Sequence, residues 1–166
     1  MSQPAHRFQD TPRGVWEFLD VVLVRCPRCA QAARIIRPPG DEKHQTLTMF
    51  RPRRLVCRGC GLSRIWKGHS ITLSRSTTEP ATDPYLGLPL WLQTETRHGW
   101  LWAYNPEHLD LIRRYVQAPL RERANRYDDG SRKSLIARLP AWIKRAHHRD
   151  EILRAVDRIR ASLTTG

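Results

Sequence analysis

The four cysteines of the chain fall into two pairs with the same spacing, Cys26-Pro27-Arg28-Cys29 and Cys57-Arg58-Gly59-Cys60. No other feature restricts the fold as tightly. A CxxC pair closes into a tight turn whose two thiolates converge on one point, with backbone N–H groups aimed at the sulfurs. Two such turns supply the corners of a tetrahedral metal site with metal–sulfur distances near ~2.3 Å. Gly61 relieves the backbone where the chain leaves the second turn, and Arg25, Arg28 and Arg58 are near enough in sequence to offset some of the site's negative charge. The flanks read as strands. Residues 21–25 are β-branched and enter the first pair, Arg34-Ile35-Ile36 leaves it, 47–56 enters the second pair and 62–67 leaves it. Residues 71–73 suggest a further strand. Two disulfides would need an oxidising compartment, and a thioredoxin-like centre uses one CxxC that opens a helix. Four cysteines alone leave an iron or iron–sulfur site open; the strand–knuckle–strand setting favours one structural zinc ion.

These pairs and their strands resemble the zinc-ribbon superfamily, of which the transcription-factor-IIB-like ribbons are one branch. The resemblance spans about 50 residues, from 21 to 74, and implies Cys26, Cys29, Cys57 and Cys60 as metal ligands. The 27 residues between the pairs exceed the shorter spacing of roughly 15–20, which an inserted β-loop at 38–46 accounts for. Further on, Leu88-Pro89-Leu90-Trp91-Leu92, Leu101-Trp102-Ala103-Tyr104-Asn105, His108-Leu109 and Leu139-Pro140-Ala141-Trp142-Ile143-Lys144 look like a little-characterised bacterial family in which a zinc ribbon precedes a Trp-rich module. In that family the hairpin turn often carries two adjacent cysteines before a glycine. Here it reads Glu95-Thr96-Arg97-His98-Gly99, so no second metal site is expected, and the resemblance implies no activity.

The rest of the pattern points to an α+β chain: an antiparallel zinc ribbon at 14–75 after a disordered tail at 1–13, a Ser/Thr/Pro linker at 76–84, and a β-hairpin with about three helices at 85–162. Asn105 is a good N-cap with Pro106 at the first helical position. Leu109, Ile112, Val116 and Leu120 make one apolar stripe, and Pro119 should kink or end that helix. A Gly-containing break at 127–131 precedes helical segments near 135–139 and 140–146, and a last helix carries Ile152, Val156 and Ile159 on one face. Trp100 and Trp102 share a strand face, with Leu90, Leu92 and Leu101 giving the hairpin a second apolar face. Together with Trp91 they read as core under the helices.

Charge suggests a partner. Lys and Arg number 29 against 16 Asp and Glu, a net +13, and such a surplus favours a polyanion through counterion release. It is densest near the second knuckle, where Arg51, Arg53, Arg54, Arg58, Arg64 and Lys67 crowd together. Strand alternation sets Arg64 and Trp66 on one face, a pairing suited to phosphate contact and base stacking. The expected function is therefore a zinc-binding, nucleic-acid-binding accessory protein, with DNA and RNA undistinguished. A protein-interaction adaptor is the alternative, since single ribbons serve both uses. Trp66 packed beneath the sheet, with the arginines merely solvating its outer face, is the simpler structural account of the same residues. No HExxH, P-loop, GxSxG or paired-carboxylate pattern occurs, so no enzymatic role is expected. No stretch reaches the roughly 18 apolar residues of a membrane span, and the N-terminus lacks a signal-peptide pattern; the expectation is a cytoplasmic protein.

Overall fold

The computed structural model describes residues 7–10, 13–40, 50–68, 70–122 and 134–164. Most of the loop expected at 38–46 and the break expected at 127–131 lie outside the described residues. The fold is α+β. A four-stranded antiparallel sheet runs in sequence order through β1 of the ribbon (Val21–Arg25), β2 (Ala32–Ile36), β3 (Arg53–Val56) and β4 (Ser63–Trp66). A hairpin of β5 (Leu92–Thr96) and β6 (Gly99–Ala103) follows. Among the described residues four α-helices follow: α1 (Pro106–Gln117), α2 (Leu135–Arg138), α3 (Ala141–Lys144) and α4 (Arg149–Ala161). The strand expected at 71–73 does not form; Ile71 and Leu73 pack on the core without pairing.

Register sorts the sheet's two faces. Val22, Ile35 and Leu55 stand opposite one another in one row and are fully buried, with Val24 and Ala33 in the next. The opposite face carries the row Val21, Ile36, Arg54 and Ile65, in which Val21 and Ile65 are exposed. Arg53 and Trp66 are paired across β3 and β4 on the core face. Both are buried, and both close on Tyr85: the Arg53 guanidinium lies 4.9 Å from the ring centroid, and Trp66 meets the ring edge-on at 5.0 Å. The expectation that Trp66 offers a stacking surface to bases is therefore replaced by a core role, as is the expectation of Arg53 as a phosphate contact.

The free edge of β1 is taken up by the second half of the chain. Leu23 donates to the Tyr104 carbonyl (2.8 Å) and accepts from the Trp91 N–H (3.0 Å), and the Arg25 N–H donates to the Pro89 carbonyl (2.8 Å). The segment expected as a linker is packed as well. Ala81 and Asp83 are buried, and Asp83 accepts backbone N–H bonds from Tyr85, Leu86 and Leu88 at 2.6–2.8 Å. Thr77 accepts from the Trp100 N–H at 2.7 Å. That strap crosses Gly99 (φ 131°) so closely that a Cβ there would lie 2.5 Å from the Thr77 carbonyl oxygen. One buried cluster thus joins ribbon, strap, hairpin and helices.

The helices follow their sequence signals. Asn105 caps α1 by accepting from the His108 N–H (2.9 Å), and the helix stops at Gln117, before Pro119. Leu109, Ile112 and Val116 are buried, as are Ile152, Val156 and Ile159 on α4. These two helices pack on the hairpin and on each other, with Arg113–Asp157 and Arg160–Asp110 ion pairs at the rim. An additional strand, β7 (Arg7–Gln9), lies inside the tail expected to be disordered; it pairs in parallel with β8 (Leu120–Glu122). Phe8 supplies a reason, being buried edge-on against Tyr115 at 5.4 Å. Among the described residues no helix is long and apolar enough to cross a membrane.

Asn105 also fastens the two halves together: its side-chain amide donates to the carbonyls of Phe18 (2.8 Å) and Val21 (3.0 Å). Losing a cap costs about 0.5–2 kcal/mol and each buried hydrogen bond about 1 kcal/mol. Asn105→Ala is therefore expected to lower folding stability by roughly 2–4 kcal/mol in denaturant titrations, whereas a loss below about 1 kcal/mol would mean that water replaces the amide. His108, buried behind that cap, accepts the Tyr104 N–H at Nδ1 (3.2 Å), and burial holds its pKa down to about 3. Its folded-state pKa lies below the unfolded value, so the neutral ring's stabilising share is complete above about pH 6.5 and is lost as pH falls from there towards 3. In an NMR titration the His108 ring should remain neutral at pH 5, with the proton on Nε2.

Candidate metal centre

The two knuckles are built alike. In the first, the Ala30 N–H donates to the Cys26 carbonyl (2.9 Å) and the Cys26 N–H to the Gln31 carbonyl (2.8 Å). In the second, Gly61 donates to Cys57 (3.0 Å) and Cys57 to Leu62 (2.9 Å). Each turn ends on a left-handed residue, Ala30 at φ 61° and Gly61 at φ 72°. Glycine takes that conformation without cost, while an L side chain is strained there by about 1–2 kcal/mol. Because β1–β2 and β3–β4 are adjacent hairpins of one sheet, the two turns project from the same end and their thiols meet.

The geometry suits a tetrahedral ion. The four Sγ atoms lie within 4.8 Å of one another, with Cys26–Cys60 at 3.7 Å and Cys29–Cys57 at 3.5 Å. A tetrahedron of ~2.3 Å metal–sulfur bonds has edges of about 3.8 Å. Disulfides need about 2.05 Å, and all four thiols are free. The Arg28 N–H points at the Cys26 sulfur (3.4 Å), as expected for a knuckle. Cys26 and Cys57 are buried, while Cys29 and Cys60 are half-buried.

Packing four thiols together sets their ionisations against one another. Burial opposes a thiolate at Cys26, yet the N–H groups of Cys29 and Arg28 and the neighbouring thiols bring its pKa down to about 6. The Gln31 N–H favours a thiolate at Cys29, but burial and the thiols of Cys57, Cys26 and Cys60 push it up to about 12. A divalent cation at the centre removes this opposition and stabilises all four thiolates. The arrangement is compatible with a zinc-ribbon-like site.

The other sequence candidates do not gather in one place. Arg58 is exposed at the tip of the second knuckle, Arg64 and Lys67 are exposed on and beyond the edge strand, and Arg51 and Arg54 are half-buried. Arg53 and Trp66 face the core. Alternation with Leu55 and Cys57 carried the signal for Arg53, because those apolar positions place it on the core face of the strand. On the remaining chain, His98 stacks on His148 with ring centroids 3.8 Å apart, and its Nε2 lies 3.2 Å from Glu151. Among the described residues only the four cysteines are arranged to hold a metal ion.

No protein-family model, curated protein or solved structure matches the chain.

Two outcomes are expected. Ala30→Gly should raise stability by up to about 1 kcal/mol, by relieving the left-handed strain at an exposed position; a lower thermal midpoint for the metal-loaded variant would contradict this. Cys57→Ser should abolish stoichiometric metal binding. Chelation should then expose the knuckle and β3–β4 amides to hydrogen exchange first, while Leu23 and Arg25, bonded to the hairpin side, keep longer protection. Uniform loss across all four strands would show that the sheet has no independent support.

Proposed function

We propose that the chain is a zinc-binding accessory protein that contacts nucleic-acid phosphates through its basic ribbon. Zinc is preferred over iron because paired strand-borne knuckles closing a four-sulfur site are typical structural zinc ligation, and a reducing compartment such as the cytoplasm would keep the thiols free. One observation carries the nucleic-acid reading. Residues 21–40 and 50–68 hold ten Arg or Lys side chains and no carboxylate. Arg25, Arg28, Arg34, Arg58, Arg64 and Lys67 are exposed among them. The charge follows the knuckle tips at Arg28 and Arg58, the outer sheet face at Arg25 and Arg34, and the exposed edge at Arg64 and Lys67, where neighbouring phosphates along a strand could each meet a cation.

A protein-adaptor role has its own support. Val21 is 36 % exposed and Ile65 49 %, at the two ends of the row that includes Ile36 and Arg54. Exposed β-branched residues on a sheet face suit a protein partner better than a phosphate backbone.

Metal analysis of purified protein should find one zinc equivalent; iron, or no metal in a folded protein, would refute the metal reading. For the partner, binding of random-sequence DNA and RNA should weaken linearly in log salt. Substituting Arg58, Arg64 and Lys67 together with Ala should reduce the slope by roughly one unit per lost phosphate contact, while Arg114 and Arg154, exposed on the helices, should matter much less. Equal effects from both sets would reduce the interaction to diffuse charge. No binding at low salt, together with a protein partner lost on Ile65→Asp, would establish the adaptor role instead.

A further inference from the structure

The hairpin, α1, the short helices and residues 73–77 border a partly open cavity of about 510 Å³ on the side of the hairpin that carries its tryptophans. The volume falls within the ~300–1,000 Å³ range of small-molecule sites. Trp100, Trp102 and Tyr104, at alternate positions along and just beyond β6, form an aromatic wall. Tyr104 is fully buried and Trp102 packs against the core. Trp100 is half-buried, with flat surface left along the cavity. Val15, Leu73, Leu135, Leu139 and Ile143 complete the apolar lining.

The polar side chains of the lining are the hydroxyls of Ser74, Thr77 and Tyr104, one histidine and two arginines. His108 is 2 % exposed and lines the cavity. Its Nδ1 is engaged by the Tyr104 N–H, which places the proton on Nε2 as a donor. Arg75 and Arg138 also line the cavity, are exposed, and form no ion pair among the described residues. No carboxylate contributes to the described lining. An aromatic slot with a buried histidine and two guanidinium groups that form no ion pair among the described residues is complementary to a flat apolar body bearing a negative charge.

We infer that this cavity binds a small organic anion with a planar aromatic body, which lies against Trp100 and Trp102 and sets its carboxylate or phosphate against Arg75 and Arg138. The inference is independent of the basic sheet surface and its polyanion: Val15, residues 73–77, the hairpin and the helices line the cavity, and none of its lining residues lies on a strand of the four-stranded sheet or on a knuckle. An aryl carboxylate and a purine nucleotide share the required chemistry, so the experiment includes both.

Full-length, metal-loaded protein would be titrated with 2-naphthoate, its neutral isostere 2-naphthalenemethanol, and adenosine monophosphate, using calorimetry and the indole N–H resonances of the tryptophans. The expected result is saturable, one-to-one binding of at least one anion, with shifts confined to Trp100 and Trp102, and about tenfold weaker binding of the alcohol than of naphthoate. Preference for adenosine monophosphate over naphthoate would identify the nucleotide source, and the reverse an aryl acid. Arg75→Gln with Arg138→Gln, both at exposed positions, should erase the advantage of the anion without altering the circular dichroism. Trp100→Leu should weaken every ligand that binds. Absence of binding by both anions at millimolar concentration would overturn the inference. Equal affinity for naphthoate and alcohol, unchanged in the double arginine variant, would overturn it too, by reducing the cavity to an unspecific apolar surface.

Discussion

Four sulfur atoms held within 4.8 Å of one another constrain this molecule more than any other contact. Fully ionised, they would carry four negative charges in a partly buried site: backbone N–H groups and neighbouring thiols draw the Cys26 pKa down against burial, whereas burial and the other three thiols push Cys29 up. A divalent metal held there would resolve that conflict and turn it into cohesion. Structural zinc supplies on the order of 10–16 kcal/mol, comparable with the whole stability of a typical domain at about 5–15 kcal/mol. Closure at the knuckles joins two hairpins that, among the described residues, pair through the short β2–β3 ladder from Arg34↔Val56 to Ile36↔Arg54.

The metal does not act alone, because the sheet is held at its far edge as well. Leu23 and Arg25 hand their outward backbone groups to Tyr104, Trp91 and Pro89, so β1 is never a bare strand edge open to another chain. Across the sheet, Tyr85 sits between the Arg53 guanidinium and Trp66. A buried arginine is expensive, and here an aromatic face lowers that cost. The segment at 76–84 connects these supports: Asp83 gathers three N–H groups and Thr77 receives one from Trp100. Ribbon and helical half are separately patterned in sequence but meet in one core.

What the sequence disclosed and what it hid follow from the range of the interactions. The knuckles, the Asn105 cap, the end of α1 before Pro119 and the apolar face of α4 are local, so spacing and propensity reveal them. Non-local partners were hidden. Ser, Thr and Pro at 76–84 read as a linker because nothing nearby in sequence announces that Asp83 is satisfied by the turn it forms, or that Thr77 crosses Gly99. Phe8 lies in a polar tail, and only its distant partner Tyr115 makes strand pairing there worthwhile. Trp66 was ambiguous for a similar reason: alternation assigned it a face, but its distant neighbour Tyr85 decides whether that face is water or core. The thiol cluster was legible, while the limits of the basic surface required burial.

The distribution of that charge has a physical consequence of its own. A zinc ion bound by four thiolates keeps a net charge of about −2, so the proposed zinc centre would neutralise only part of the ten cations carried by residues 21–40 and 50–68. Asp20 engages Arg37 and Tyr85 covers Arg53, yet Arg28, Arg34, Arg58, Arg64 and Lys67 stand at exposed positions on segments that contain no acid. Like charges this dense repel one another and reduce the stability of the compact state. The helices show the opposite arrangement, with Arg113 and Arg160 paired to Asp157 and Asp110. A cost confined to the ribbon would be offset if, as proposed, a polyanion occupied the surface and released its counterions. Rigid knuckles favour that exchange, because Arg28 and Arg58 project from backbone fixed by the same thiolates that their positive charge helps to balance.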